Sequence, residues 1–363
     1  MSIDPPAGFS ATYAEARDRF IAAARDRGLA VARHVHPAAR GAEGEELSID
    51  VAALGPAGAQ GVLLLISGTH GAEGFCGSGC QVNFLRDDAF FAEMTGSGVR
   101  IVFLHALNPY GFSHIRRTNE DNVDLNRNFR DWTSPPPANA KYAEVHDFMV
   151  PANWPPSPAN EARLAAYVQQ RGERALQEAV SGGQCEFPGG LFYGGSRAAW
   201  SNGVLRRVLR EHASQARSLA WIDFHTGLGP RGHGEKIYSG RDDPADIARA
   251  RAWWGADVTS FYDGSSASAP LTGVNYNAAY EECPQATYTG IAIEYGTQPM
   301  MAVLQALRGD QWLESHPDAP EDVRRSIKRA VRDAFYQDAD DWKRAVHEQA
   351  LVHTRSAVAR LRS

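Results

Sequence analysis

Three apolar runs break off in the same way, and that shared ending limits the fold more than any other feature of the chain. "GVLLLI" from Gly61 stops in the glycine-rich "SGTHGAEG"; "SLAWIDFHTG" from Ser218 stops at a histidine and a glycine; "TYTGIAIEYGT" from Thr287 stops at a glutamate and a glycine. The runs are apolar throughout rather than alternating, as strands are when both faces of a sheet are covered. "VRIVFLHALNP" from Val99 reads as a further buried strand. Helical patterns separate these runs, which implies an α/β fold with a mixed, mostly parallel central sheet flanked by helices. Earlier, "LAVARHVH" and "LSIDVAAL" alternate like two strands joined by a polar turn, behind a helix that starts at a Thr12/Glu15 capping box.

Open α/β sheets bind ligands outside the carboxyl ends of their strands. His70, His225 and Glu294 all lie at or just past such ends. His70 and Glu73 form an H-x-x-E pair across the strand-to-helix turn and can converge on one ion. A catalytic zinc takes three protein ligands, two histidines and one glutamate being a known set, and leaves one position open. His225 is the best third ligand. Asp223 precedes it by two residues on the same strand face and can support the site from behind. Each residue alone has a plainer reading as a satisfied polar group; together, at separate strand ends among glycines, they point to metal. His105, inside a core strand, reads as a core histidine, and His233 as a residue of a glycine-flanked mobile loop.

The rest of the chain bounds the function. Its 363 residues carry 43% hydrophobic and 22% charged side chains and a net charge of −6. That is a globular composition without the basic footprint of a nucleic-acid binder. The longest apolar run is too short to span a bilayer, and "MSIDPPAGFSATYAEARDRF" lacks the pattern of a signal peptide, so no membrane role is expected. Cys76, Cys80, Cys185 and Cys283 have no zinc-clamp spacing and read as free thiols, in keeping with a cytoplasmic location.

Between the strands, residues 131–160 are crowded with proline and punctuated by aromatics, as in a long ordered loop or insertion; a helix is expected from about Glu161 to Ala179, followed by the loop "SGGQCEFPGGLFYGGS". From about Pro320 the pattern is helical and charged. The expected organisation is a single domain over 1–363, with a core at about 61–296, an insertion at 131–201 and C-terminal helices at 320–363. The insertion either folds over the cleft or makes an oligomer contact.

The segments "GTHGAEG", "NPYGF", "VDLNRNF", "IDFHTG" and "AIEYGT" together resemble the zinc metallocarboxypeptidase (carboxypeptidase A-like) superfamily, which includes the succinylglutamate desuccinylase and aspartoacylase branch. "DFHTGLGP" and "LFYGGSRAAWSNG" are similar to a poorly characterised bacterial and fungal branch of it, a domain of unknown function. The resemblance covers about 61–296. It implies one zinc ion on His70, Glu73 and His225, with Asp124 orienting His70. It implies that Asn126 and Arg127 hold the substrate carboxylate, that Arg117 (or Arg116) stabilises the oxyanion, and that Glu294 is the general base. A tyrosine from a loop before the base is also implied; Tyr276, Tyr280 and Tyr288 all qualify by spacing, and Tyr276 is taken as the substrate-binding candidate.

These roles make chemical sense. Zinc lowers the pKa of a bound water to about 7. A carboxylate such as Glu294 can accept the water proton and pass it to a leaving nitrogen. The planar fork of Arg127 suits a carboxylate. Asp124 also fits a plain turn role in "NEDNVD", and Glu235, Glu281 and Glu282 look solvated. The expected function is zinc-dependent cleavage of an amide next to a carboxylate, in a small peptide or in an N-acyl amino acid. A non-catalytic zinc- or peptide-binding protein is the alternative from another class.

Overall fold

The computed structural model of the protein describes residues 3–362. Its strands are β1 (Val31–Arg40), β2 (Glu46–Leu54), β3 (Gly61–Ile66), β4 (Arg100–His105), β5 (Ser218–Arg231), β6 (Gly234–Tyr238) and β7 (Thr287–Gly296). They form one seven-stranded sheet in the order β1-β2-β4-β3-β5-β7-β6. The four central strands β4, β3, β5 and β7 are parallel; β2 and then β1 add antiparallel at one edge, and β6 at the other. This is the mixed α/β sheet expected, with β6 as an edge strand the sequence reading did not anticipate.

Why β3 does not alternate is visible in its packing. Leu63 and Leu65 enter the core on one face, Val62, Leu64 and Ile66 the core on the other, and all five are buried. Helices Tyr13–Asp26, Gly74–Arg86, Pro244–Trp254 and Asp340–Leu361 cover the first face; Trp200–Ala213 and Asn277–Glu282 cover the second. Helix Tyr13–Asp26 starts where Thr12 Oγ1 accepts the Glu15 N–H at 3.2 Å. Helix Gly74–Arg86 lies very close to the strand ends, and Gly77 permits this: a Cβ there would stand 2.7 Å from Ser67 Cβ and 2.9 Å from Phe224 Cβ.

The insertion departs from expectation in two ways. Its proline-rich part contains a helix, Ala140–Met149, which buries Tyr142, Val145, Phe148 and Met149. The single helix expected over 161–179 is two, Pro158–Arg171 and Glu173–Ser181, broken at Gly172, whose φ of 85° no helix interior adopts. These helices pack with Met300–Glu314 and Glu321–Phe335 into a third hydrophobic cluster that includes Leu164, Leu176, Leu307, Val331 and Phe335. Burial of each such side chain stabilises by roughly 1.5–3 kcal/mol, so the insertion is held as part of the packed body rather than as a linker. Arg116 joins the same region to the sheet: it is buried and bonds Asp310 at 3.0 Å, and Lys328 reaches that carboxylate at 2.7 Å.

Candidate metal centre and cleft

The site is built at the carboxyl ends of the parallel strands. On β5, Leu219 and Trp221 face one core, so Asp223 and His225, two and four residues further on, face the same way. On β7, Glu294 is the register partner of His225. Past β3, the turn carrying His70 is pinned by backbone bonds from Gly71 to the Arg117 carbonyl (3.2 Å) and from Ala72 to the Arg116 carbonyl (2.7 Å). Glu73 closes the short turn before helix Gly74–Arg86.

His70, Glu73 and His225 converge, each offering one ligand atom, and those atoms all lie within 4.8 Å of one another. All three residues are buried. His225 Nδ1 lies 3.0 Å from Glu73 Oε2, and its Nε2 lies 3.1 Å from Asp223 Oδ2. Burial opposes charge on this ring, but Asp223 and Glu73 outweigh it and hold its pKa well above the ordinary histidine value. His70 is the reverse. Burial, and then the Arg117 charge, hold it well below the ordinary value. Its Nε2 accepts from Arg117 Nη2 at 2.7 Å, and a guanidinium can only donate, so the ring proton belongs on Nδ1, 3.4 Å from Asp124 Oδ1. Each histidine therefore turns one nitrogen towards a buried carboxylate, Asp124 for His70 and Asp223 for His225, the arrangement that orients metal-binding imidazoles. The donor set, two imidazoles and a carboxylate, fits zinc.

Around this centre the carboxylates are satisfied. Asp124 is buried; burial would raise its pKa, but Arg117, His70 and Arg127 hold it well below the usual carboxylate range. Arg117 Nε bonds Asp124 Oδ2 at 2.9 Å and Nη1 reaches Glu73 Oε1 at 3.2 Å, while its guanidinium stacks over Phe192 at 4.6 Å. Arg116, the other arginine of the pair, is turned away onto Asp310 and Glu314. Glu294 is partly open to the cleft; its Oε1 accepts the Leu228 N–H at 2.9 Å. Its desolvated position, and then the Glu73 charge, push its pKa up to about 7.

Asn126 and Arg127 also line the cleft. Asn126 Oδ1 accepts the Asn275 N–H at 2.9 Å. Arg127 is buried and turned onto backbone carbonyls: Nε and Nη2 bond Ser181 O at 3.0 and 2.5 Å, and Nη1 bonds Asn126 O at 2.7 Å. That leaves one N–H on each terminal nitrogen outside these bonds. Burial lowers its pKa to about 10, so it stays charged at neutral pH. Of the three tyrosines, Tyr276 lines the cleft and Tyr280 and Tyr288 do not. Glu281 and Glu282 pair with Arg206, away from the cleft. His105 is a core residue, bonded to Ser78 Oγ at 2.8 Å and stacked on Phe20.

The cleft has about 150 Å³ of free space, where one water needs roughly 10–15 Å³. One wall is apolar and comes from the insertion and the helices near the C-terminus: Leu176, Val180, Phe192, Val303, Leu307 and Phe335. The other includes Ile237, Phe261, Leu271 and Val274. The insertion thus walls the cleft. Of the two roles expected for the insertion, this is the fold over the cleft; sequence reasoning missed Thr69 and Asn275, which bond Asp223. Thr69 could have been found from its place beside His70; nothing local marks Asn275.

No helix among the described residues is long and apolar enough to cross a membrane. No protein of curated function matches the sequence. Among solved structures, thrombin activatable fibrinolysis inhibitor aligns over 97% of this chain and 74% of its own, at 11% identity and a TM-score of 0.53. The bovine form of that protein, in complex with tick carboxypeptidase inhibitor, aligns over 98% of both chains at 10% identity (TM-score 0.49). Carboxypeptidase A from Helicoverpa armigera aligns over 89% of this chain and 74% of its own at 14% identity (TM-score 0.47). The fold is that of the metallocarboxypeptidases. At the level of sequence, residues 9–349 match the family model described as Protein of unknown function (DUF2817), and the chain belongs to that family.

Proposed function

We propose that the protein is a zinc-dependent hydrolase that cleaves an amide bond next to a carboxylate, in the manner of a metallocarboxypeptidase. The observation that carries this reading is the convergence of His70, Glu73 and His225 beside Glu294 at the strand ends. A bound zinc supplies Lewis acidity to the substrate carbonyl and to a water. The protein's own residues do the rest. Glu294, beside the three ligands at the end of β7, takes the water proton and returns it to the leaving nitrogen. Arg117 donates to the oxygen on which negative charge grows. Asn126 and the remaining N–H groups of Arg127 receive the substrate carboxylate, and Tyr276 lines the same cleft.

The apolar walls carry no charged group outside the metal centre, Asp223, Glu294 and the two arginines. A charged substrate side chain would lose its hydration there without gaining a partner. The substrate is therefore small and apolar beside its carboxylate. A short peptide and an N-acyl amino acid both meet that description, and the limited space keeps deacylation as the second reading.

Elemental analysis on protein purified without added metal, wild type against His70→Ala, tests the centre. About one zinc per chain, lost in the variant, leads to a screen of dipeptides against N-acyl amino acids. A folded wild type that takes up no zinc overturns the proposal.

A further inference from the structure

Asp223 is the hub behind the metal centre. It faces His225 Nε2 at 3.1 Å, and the Thr69 hydroxyl lies 2.9 Å from each of its oxygens. Asn275 Nδ2 donates to Asp223 Oδ2 at 2.7 Å and lies 3.3 Å from Thr69 Oγ1. Thr69, Asp223 and Asn275 are all buried. The Thr69 and Asn275 bonds fix where the Asp223 carboxylate sits, and that sets where the His225 ring it faces can sit. The donors on Asp223 thus decide how firmly it orients the His225 ring.

The backbone around Asn275 is clamped independently of its side chain. Its own N–H donates to Asn126 Oδ1 at 2.9 Å, the Phe129 N–H donates to Gly273 O at 2.8 Å, and Asn277 Nδ2 donates to Phe129 O at 3.0 Å. Gly273, at φ 71°, lets the two segments touch: a Cβ there would lie 2.2 Å from the Arg127 carbonyl oxygen. Removing the Asn275 side chain therefore leaves its segment in place and takes away one donor to Asp223.

We propose that Asn275 is a positioning residue of the metal centre, acting through Asp223 on His225. This rests on the zinc reading above. No short-range pattern connects these residues; Asn275 and Thr69 are 206 positions apart.

The test is zinc affinity, measured by competition with a chromophoric chelator, together with the visible spectrum of the cobalt(II)-loaded protein. Groups that support metal-binding histidines typically change affinity 10–100-fold when lost. Asn275 acts one residue further out, so Asn275→Ala is expected to weaken zinc by roughly tenfold and shift the cobalt bands, with the circular dichroism spectrum retained. Thr69→Val, which removes the other donor at nearly constant volume, is expected to do the same, and it decides the matter if Asn275→Ala does not fold. A purely packing role would lower the melting temperature and leave zinc affinity within twofold, which overturns the inference. A wild type that binds no zinc overturns it together with the proposed function; loss confined to the variants separates the two.

Discussion

His225 and Glu294 are register partners on adjacent parallel strands, so the ring of one and the carboxylate of the other stand side by side on one face of the sheet. Neither depends on a loop for its position. If Glu294 carries the proton, Glu294→Gln keeps the shape and the Leu228 contact but loses the base. Hydrolysis is expected to fall by roughly 10²–10⁴-fold while zinc content stays at the wild-type level. Unchanged turnover with zinc still bound would remove Glu294 from the mechanism.

Arg117 touches His70, Glu73 and Asp124 together. If it is the oxyanion donor, its loss costs turnover rather than binding. Arg117→Gln is expected to lower kcat by roughly 10²–10³ with a smaller effect on KM. Arg116→Gln instead leaves Asp310 short of a partner and should lower the melting temperature with little effect on kcat. Steady-state kinetics and thermal melts of both variants separate the roles.

The strand ends were legible because burial made them so. A glutamate after "GIAI" and a histidine after "AWIDF" interrupt runs that otherwise bury both faces. The antiparallel edge strand β6 was not legible, being short and flanked by glycine. The helix Ala140–Met149 was hidden by prolines that flank it rather than enter it; its buried Tyr142, Val145 and Phe148 recur every three residues. The place of Tyr276 in the cleft, the turning away of Arg116 and the bond from Asn275 to Asp223 depend on contacts between segments far apart in the chain, which no local pattern encodes.

His105 gives the fold a pH dependence separate from catalysis. Burial beneath Phe20 lowers its pKa to about 3, so the folded protein keeps the ring neutral while the unfolded chain protonates it near 6.5. Between these values the unfolded state holds more protons, so stability is complete above about pH 6.5 and falls as pH drops towards 3. One such group contributes a slope of up to about 1.4 kcal/mol per pH unit. Urea unfolding of chelator-treated protein from pH 7 to 4 should show this slope, and His105→Gln should flatten it by that amount. An equal slope in the variant would mean that His105 titrates normally in the folded state.

Arg308 locks the insertion that walls the cleft. It is fully buried on helix Met300–Glu314 and donates to Glu161 Oε1 (2.8 Å), Gln305 Oε1 (2.7 Å) and the Phe148 carbonyl (2.8 Å), with Asn160 Oδ1 also bonded. It thus joins three helices, two of them from the insertion. Arg308→Met keeps most of the volume and removes every donor, and each buried acceptor left without a partner costs about 1–3 kcal/mol. The variant is expected to lose at least about 2 kcal/mol of stability and to become sensitive to protease between residues 150 and 157. It should also raise KM, because Leu176, Val180 and Leu307 in the cleft wall belong to the same packed cluster. Protease resistance and KM equal to wild type would show that the wall stands without this arginine.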